Sequence, residues 1–347
     1  MKIGNFDLNE GHTFIIAELS ANHNHDFEIA VKTIQAAKKA GADAIKLQTY
    51  TADTLTINCD NEYFQINQGS LWDGMTLYKL YEQAYTPWEW HEKLQQVATN
   101  EGLEFFSSPF DNTAVDFLEN LNVPAYKIAS FEIQDIPLIK YTASKKKPII
   151  ISTGIAEEED IALAVKTCRD EGNTDIVLLK CTSSYPAPVE LANLRTIPDM
   201  RDRFQTEVGL SDHTYGIIVP VTSVALGAKV IEKHFILDKA LGGPDADFSL
   251  NIEEFSQMVQ SVREAELALG KVTYEISEKV KANRKFARSL FIIDDVKAGE
   301  EVTLKNIRSI RPGYGLHPKY LHEIIGKTFT QNLKAGSPLS TDHINWT

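Results

Sequence analysis

Short apolar segments alternate with amphipathic segments along the first 270 residues, and this alternation is what most constrains the fold. The apolar segments are rich in β-branched residues, as buried strands are, and the segments between them carry apolar residues at helical spacing. The apolar segments are Phe14–Leu19, Ala44–Thr49, Glu104–Ser108, Ala125–Ser130, Pro148–Thr153, Ile176–Thr182, Glu207–Ser211 and Val230–Phe235. Strands that alternate with helices form a parallel sheet, and eight of them close a (β/α)8 TIM barrel.

A doubly wound open sheet is the structural alternative. It is disfavoured because no glycine-rich phosphate-binding turn follows the first predicted strand. Helical spacing is clearest over Glu28–Ala40, Ile161–Cys168 and Ile252–Leu269, the last of which follows the eighth strand. Gly41 and Gly102 stand where helices commonly end. These positions favour the barrel.

Two regions depart from the alternation. The segment Thr51–Thr86 is long and shows no clear helix at its start, which predicts an elaborated loop over one face of the barrel. After Gly270 the pattern changes to a charged linker and then to short strands, one short helix and two Lys-Ala-Gly turns. We therefore predict a catalytic barrel over 1–270, a linker over 271–286 and a small domain over 287–347. A domain of about 60 residues buries little core, so docking on another surface is expected.

Charge and cysteine content narrow the class of protein. The chain has 35 Lys and Arg against 48 Asp and Glu, a net charge of −13, which argues against nucleic-acid binding. Its three cysteines, Cys59, Cys168 and Cys181, lack metal-site spacing and predict free thiols in a reducing compartment. Neither a signal peptide nor an apolar run of about 20 residues is found. We expect a cytoplasmic protein without a membrane partner.

Polar side chains stand at the end of every predicted strand, where the catalytic residues of TIM barrels lie. They include Glu18, Lys46, Gln48, Ser108, Lys127, Ser130, Ser152, Ser183, Tyr185, Ser211, Asp212, His213, Glu232 and His234. A single serine at such a place is often only a helix N-cap. Lysines inside strands are harder to explain by packing, so Lys46 and Lys127 are interpreted as functional, whereas Lys180 and Lys233 can equally reach solvent.

His213 and His234 end adjacent predicted strands, so their imidazoles can converge on one ion. Two neutral imidazoles with water or substrate oxygens suit a divalent metal such as Mn2+, with Mg2+ or Co2+ as alternatives, better than a closed zinc site. Lysines with hydroxyls form a cradle for phosphate and carboxylate, and Glu18 is a candidate general base. Asp212 is expected to orient its neighbours. The polar side chains at the strand ends together predict that the substrate is a small phosphorylated acid, which reacts with a carbonyl polarised by the metal.

Several segments together resemble the sialic acid synthase family, which condenses phosphoenolpyruvate with an N-acylated amino sugar. They are "IIAELSANH", "AIKLQTY", "AYKIAS", "ISTGIA", "KCTSSYP", "GLSDHT" and "IEKHF". The segment "IRSIRPGYGL" is similar to the family's antifreeze-like (SAF) domain. Within the family, "ELSANH" and "FFSSPF" resemble the branch that uses 2,4-diacetamido-2,4,6-trideoxy-L-altrose. Synthases of N-acetylneuraminate or legionaminate are the alternatives in the same family.

The resemblance implies a mechanism and a set of site residues. C3 of phosphoenolpyruvate attacks the sugar aldehyde, water adds at C2, and phosphate leaves by C–O cleavage, with Glu18 catalytic and the metal on His213 and His234. The positions that match phosphoenolpyruvate contacts are Lys46, Ser108, Lys127, Ser130, Ser152, Ser183 and Ser211. Neuraminate-type members have Asn at the position of Ser183. Gln48, Tyr185 and Asp245 match sugar contacts, and Arg311 matches an arginine that reaches the partner's site in a domain-swapped homodimer.

Two other classes of function stay open. A class I aldolase would form a Schiff base on Lys127 or Lys180 and would need no metal. A non-enzymatic binding protein is suggested only by the antifreeze-like segment, and it would not need lysines and histidines around a barrel rim.

Overall fold

The computed structural model describes residues 1–67, 69 and 72–346 and confirms the predicted parallel barrel. The chain forms two compact units, Met1–Gly270 and Lys271–Thr347. Within the described part of the first unit, eight parallel strands close the barrel. They are β1 (Phe14–Glu18), β2 (Ala44–Thr49), β3 (Glu104–Pro109), β4 (Tyr126–Ile128), β5 (Ile149–Ser152), β6 (Ile176–Cys181), β7 (Glu207–Asp212) and β8 (Val230–His234). Strand β8 closes the ring on β1, with His234 opposite Glu18.

Each strand lies within two residues of its predicted position at both ends. The segments are predictable because a barrel strand is covered on both faces, so it is a nearly continuous apolar run. Strand β7 carries Gly209 because a Cβ there would overlap the carbonyl oxygen of Val230 and lie 2.7 Å from Leu179 Cδ2. The glycine lets the β7 backbone approach its neighbours closely.

Helices follow the strands along the first unit. They are α1 (Phe27–Lys39), α2 (Ala52–Leu55), α3 (Leu77–Ala84), α4 (His91–Glu101), α5 (Asn112–Asn120), α6 (Ile136–Ser144), α7 (Glu158–Asp170), α8 (Thr196–Phe204), α9 (Ile218–Ala225) and α10 (Ile252–Leu269). Gly102 ends α4 with a φ of 72°, the left-handed conformation that glycine adopts without strain. The three helices predicted over Glu28–Ala40, Ile161–Cys168 and Ile252–Leu269 correspond to α1, α7 and α10.

The segment Thr51–Thr86 differs from the prediction at its start, where α2 forms. The Thr51 side chain accepts a hydrogen bond from Thr54 N at 3.3 Å, and this cap stabilises a single turn too short to show a period. Residues 68, 70 and 71 of the segment lie outside the described residues. Trp72 Nε1 donates to the carbonyl of Pro244 at 3.2 Å, which joins the segment to the loop after β8.

The second unit has its own small core of Leu290, Ile292, Ile307 and Phe329. Its elements are α11 (Glu278–Ala282), β9 (Ser289–Ile292), β10 (Ile307–Ile310), α12 (Leu321–Ile324), β11 (Thr328–Phe329) and β12 (Ile344–Asn345), with β9 antiparallel to β10. The predicted linker thus contains one exposed helical turn, α11. Among all described residues, no helix is both long enough and apolar enough to cross a membrane.

Candidate active site

Two lysines and two glutamates meet inside the barrel near the carboxyl ends of its strands. Lys46 Nζ lies 2.7 Å from Glu18 Oε2 and 3.8 Å from Glu232 Oε2, and Lys127 Nζ lies 3.6 Å from Glu232 Oε1. The register of β1 and β2 places Glu18 opposite Lys46. Each of the four residues is at most 5% exposed. Glu232 therefore faces both cations, and the buried charges balance.

Burial and charge set the protonation of this cluster. Burial, reinforced by the Glu232 carboxylate, raises the pKa of Glu18 to about 7 even though Lys46 opposes the shift. Burial also lowers the pKa of Lys127, whereas Glu18 and Glu232 outweigh burial at Lys46 and raise its pKa. For Glu232, burial is outweighed by Lys127 and Lys46, which lower its pKa. Glu18 can therefore exchange a proton near neutral pH, and Glu232 stays ionised.

Replacing Glu18 with Gln is expected to stabilise the protein at pH 8. The pKa of Glu18 is about 7 when folded against an ordinary 4.5, so the ionised carboxylate costs stability above pH 7, and this cost disappears as the pH falls toward 4.5. The gain at pH 8 is on the order of 3 kcal/mol at most. Thermal unfolding of wild type and Glu18→Gln at pH 8 and pH 5 checks this. A shift of the same size at both pH values would contradict it.

Three serines, on the alternate strands β3, β5 and β7, extend the cluster. Lys46 Nζ donates to Ser108 Oγ at 3.2 Å, and Ser211 Oγ donates to Glu232 Oε1 at 3.0 Å. Ser152 Oγ is buried with no hydrogen-bond partner among the described residues. A buried hydroxyl left without a partner is costly, so this one is available to a ligand.

A second group of donors gathers around Gly154, just after β5. Its backbone N–H donates to Ser130 Oγ at 3.1 Å. A Cβ on Gly154 would overlap Ser183 Oγ and would lie 2.8 Å from Ser130 Oγ and 3.0 Å from Cys181 Sγ. The two hydroxyls and the thiol therefore converge where only a glycine leaves space. Clustered hydroxyls beside a backbone turn of this kind can bind the oxygens of an anion.

His213 and His234 lie side by side at the ends of β7 and β8, with ring centroids 5.4 Å apart. Nδ1 of His213 donates to the carbonyl of Thr182 at 3.1 Å, and although burial lowers the pKa of His213, the nearby Cys181 outweighs burial and raises that pKa. Nδ1 of His234 is buried without a hydrogen-bond partner in the described part of the chain, and it lies 3.8 Å from Asp245 Oδ2. Burial first, and then the nearby His213 and Lys46, lower the pKa of His234 well below its usual value, so the ring is neutral at pH 7.

This pair fits a divalent ion with an open coordination sphere. The described residues contain no cluster of three or more His, Cys, Asp or Glu that could enclose a metal. The two imidazoles, one of which has an orphaned nitrogen, instead offer part of a coordination sphere and leave the remaining positions to water or substrate oxygens.

An aromatic wall borders the histidines. Tyr185 packs on His213 with ring centroids 4.3 Å apart, and it also contacts Trp72 at 5.9 Å and Phe248 at 5.3 Å. Gln48 lies on the other side, where its Nε2 donates to Glu18 Oε1 and to Ser20 Oγ, both at 3.0 Å. The site therefore combines a charged floor, hydroxyl groups, two imidazoles and an apolar side.

Most of the residues singled out from the sequence lie in this barrel interior, whereas Arg311 belongs to the second unit. Arg311 is exposed there, just after β10. Glu232 was singled out from the sequence, but its bridge to both lysines was not predicted, and the Gly154 turn and Glu132 were missed. Burial raises the pKa of Glu132 to about 7, and Lys127 opposes that shift. Its only sequence signal is its position two residues after Ser130.

The fold and this cluster define a (β/α)8-barrel enzyme with its site at the carboxyl ends of the strands. The chain belongs to the NeuB family, whose model matches residues 33–274, and a SAF domain model matches residues 287–345. Family and fold thus agree with the resemblance drawn from the motifs.

Relatives of this chain are similar along almost its whole length. A pseudaminic acid synthase of Campylobacter jejuni is 51% identical over 339 residues, 98% of each chain. The pseudaminic acid synthase of Helicobacter pylori is 48% identical and covers 95% of this chain and 97% of its own. The crystal structure of the spore coat polysaccharide biosynthesis protein SpsE of Bacillus subtilis is 33% identical, with a TM-score of 0.68 over 100% of this chain and 99% of that one.

Proposed function

We propose that this protein is a pseudaminic acid synthase, which condenses phosphoenolpyruvate with 2,4-diacetamido-2,4,6-trideoxy-L-altrose and water to give pseudaminate and phosphate. One observation carries the reaction class: two buried lysines, Lys46 and Lys127, lie among serine hydroxyls beside the His213–His234 pair. That arrangement suits a small anion with phosphate and carboxylate groups placed next to a carbonyl. The product is taken from two relatives named pseudaminic acid synthase, at 51% and 48% identity, and the acceptor sugar from the resemblance of the motifs.

In this proposal the lysines and hydroxyls bind phosphoenolpyruvate. Lys46 and Lys127 supply the positive charge, and Ser108, Ser152 and Ser211 line the same interior. The group around Gly154, with Ser130 and Ser183, supplies further donors for the anion. Ser183 takes the place of an asparagine of neuraminate-type members, so a hydroxyl replaces an amide at that contact.

His213 and His234 would hold a divalent ion such as Mn2+, and the bound ion would polarise the aldehyde of the sugar. Glu18 lies beside Lys46 with a pKa of about 7, so it can accept or return a proton near neutral pH. Gln48 Nε2 donates a hydrogen bond to Glu18 Oε1 at 3.0 Å and so orients the Glu18 carboxylate. A bond then forms between C3 of phosphoenolpyruvate and the aldehyde carbon, water adds at C2, and phosphate departs with its bridging oxygen.

The elaborated segment Thr51–Thr86 is proposed to select the sugar through Trp72. Trp72 contacts Tyr185 and donates to the Pro244 carbonyl, so it lies against the aromatic wall of the site. An apolar wall favours methyl groups, such as the C6 methyl of a 6-deoxy sugar and the methyl groups of its acetamido substituents.

Trp72→Ala is expected to raise the KM for the sugar about tenfold, which corresponds to the loss of about 1.4 kcal/mol of binding. The KM for phosphoenolpyruvate should change much less, because the lysines and serines stay in place. Steady-state kinetics with each substrate varied separately measure this. Tyr63→Ala, which removes an aromatic ring of the same segment that is 80% exposed, is the control. Equal changes in both KM values would contradict the assignment.

Arg311 is proposed to act in a domain-swapped homodimer, in which the small unit of one chain reaches the barrel of its partner. The support is the exposed position of Arg311 and the match of the small unit to a SAF domain.

We also place the enzyme in the cytoplasm, where the free thiols Cys59, Cys168 and Cys181 would stay reduced.

The position of bond cleavage tests the proposed reaction. Phosphoenolpyruvate with oxygen-18 in the bridging C–O–P position should yield phosphate that carries the label, detected by its phosphorus NMR shift. Treatment with EDTA should stop turnover and Mn2+ should restore it. Unlabelled phosphate would overturn C–O cleavage, and borohydride trapping of a substrate on Lys127 or Lys180 without metal would establish the aldolase instead.

A further inference from the structure

A buried ion pair lies immediately behind the two histidines, on the outer face of the barrel. Lys233 Nζ contacts the Asp212 carboxylate and the carbonyl oxygen of Thr214. The Lys233 side chain is 0% exposed and that of Asp212 is 2% exposed. Lys233 therefore does not reach solvent. Because side chains alternate along a strand, it points away from the interior that Glu232 and His234 face.

The pair joins the two strands at the level of the site. Lys233 lies opposite Asp212 in the register of β7 and β8, so each partner directly precedes one of the histidines. Asp212 also closes a turn on Thr214, because its Oδ1 accepts from Thr214 N and its Oδ2 accepts from Thr214 Oγ1, both at 3.1 Å. The backbone is thus held on both sides of His213.

We propose that Lys233 is a positioning residue that, through Asp212 and Thr214, fixes the His213 imidazole relative to that of His234. Stability alone does not account for the pair, because a buried ion pair can often be replaced by neutral side chains at little cost. Contacts behind a metal-binding histidine set its orientation, and their loss commonly weakens metal binding 10–100-fold. The inference rests on the proposed two-histidine metal site.

The test compares Mn2+ binding and folding in a double variant that neutralises the pair, Lys233→Met with Asp212→Asn. The asparagine side chain carries no charge but can still accept from Thr214 N, so the double variant should fold with a thermal midpoint close to wild type. The single variant Lys233→Met leaves a buried carboxylate unpaired and should be less stable. Calorimetric titration of EDTA-treated enzyme with Mn2+ should show at least about tenfold weaker binding in the double variant. Its kcat should fall while its KM for phosphoenolpyruvate stays near wild type.

A matched pair elsewhere separates positioning from stability. Arg263 and Asp43 form a partly buried ion pair 3.0 Å apart between α10 and the start of β2. The variant Arg263→Met with Asp43→Asn should lose stability, because Arg263 also donates to the Thr13 carbonyl and to Glu266, and it should keep wild-type Mn2+ affinity. A folded Lys233/Asp212 double variant that binds Mn2+ as tightly as wild type, while His213→Ala does not, would overturn this inference alone. Wild-type enzyme that binds no Mn2+ would overturn the proposed metal site and this inference with it.

Discussion

Lys127→Met is expected to lower kcat/KM for phosphoenolpyruvate by at least about a thousandfold. Methionine has nearly the same length, so the change removes the charge and little else. Loss of one preorganised donor commonly costs 10²–10³-fold, and here a buried cation is lost as well. Glu232 would keep Lys46 as its cation, 3.8 Å away, and its carboxylate would repel the anionic substrate. Steady-state kinetics with the purified variant, and its far-UV circular dichroism to verify the fold, measure the effect.

Lys180→Met is the matched control for this prediction. Lys180 lies on β6, half-buried, and donates to the carbonyl of Cys181 at 2.6 Å. Alternation along β6 turns its side chain away from the interior that Cys181 faces. Activity within a few fold of wild type is expected. If Lys180→Met abolished turnover and Lys127→Met did not, the placement of the phosphoenolpyruvate site would be wrong.

His213→Ala is expected to abolish measurable turnover and to weaken Mn2+ binding by more than about a hundredfold. The His213 imidazole is one of only two proposed protein ligands of the metal. Losing a ligand weakens metal binding more than losing a residue that only contacts a ligand from behind. Calorimetric titration with Mn2+ and a phosphate-release assay measure the two effects.

His91→Gln serves as the matched control for the histidine. His91 is equally buried, but its Nε2 lies 2.8 Å from Thr49 Oγ1 on the outer side of the barrel. A glutamine can keep that hydrogen bond, so Mn2+ should still bind with one ion per chain. Mn2+-dependent turnover that survives in His213→Ala would remove this histidine from the site.

The barrel could be predicted from the sequence because its strands are continuous apolar runs with helical periods between them. The same alternation predicted that Ser211 and His234 stand at strand ends and that Lys46 lies inside a strand. The helix α2 could not be predicted, because a single turn is held by the local Thr51 cap and shows no period.

The contacts across the barrel could not be predicted from the sequence and are seen only in the structure. The bridge from Glu232 to Lys46 and Lys127 joins β8 to β2 and β4, which are not adjacent strands, so sequence spacing carries no signal for it. The fit of Gly154 against Ser130 and Ser183 likewise depends on how closely loops approach. Lys233 could equally reach solvent from its sequence position, and only the register with Asp212 shows why it is buried.

A comparison of two acceptor sugars tests most directly the central claim that the protein is a pseudaminic acid synthase. Purified enzyme with phosphoenolpyruvate and Mn2+ is incubated with 2,4-diacetamido-2,4,6-trideoxy-L-altrose and, separately, with N-acetylmannosamine, and kcat/KM is measured from phosphate release. The proposal predicts pseudaminate as the product of the first sugar, with a kcat/KM at least about a hundredfold above that for the second. Turnover of N-acetylmannosamine alone would contradict it.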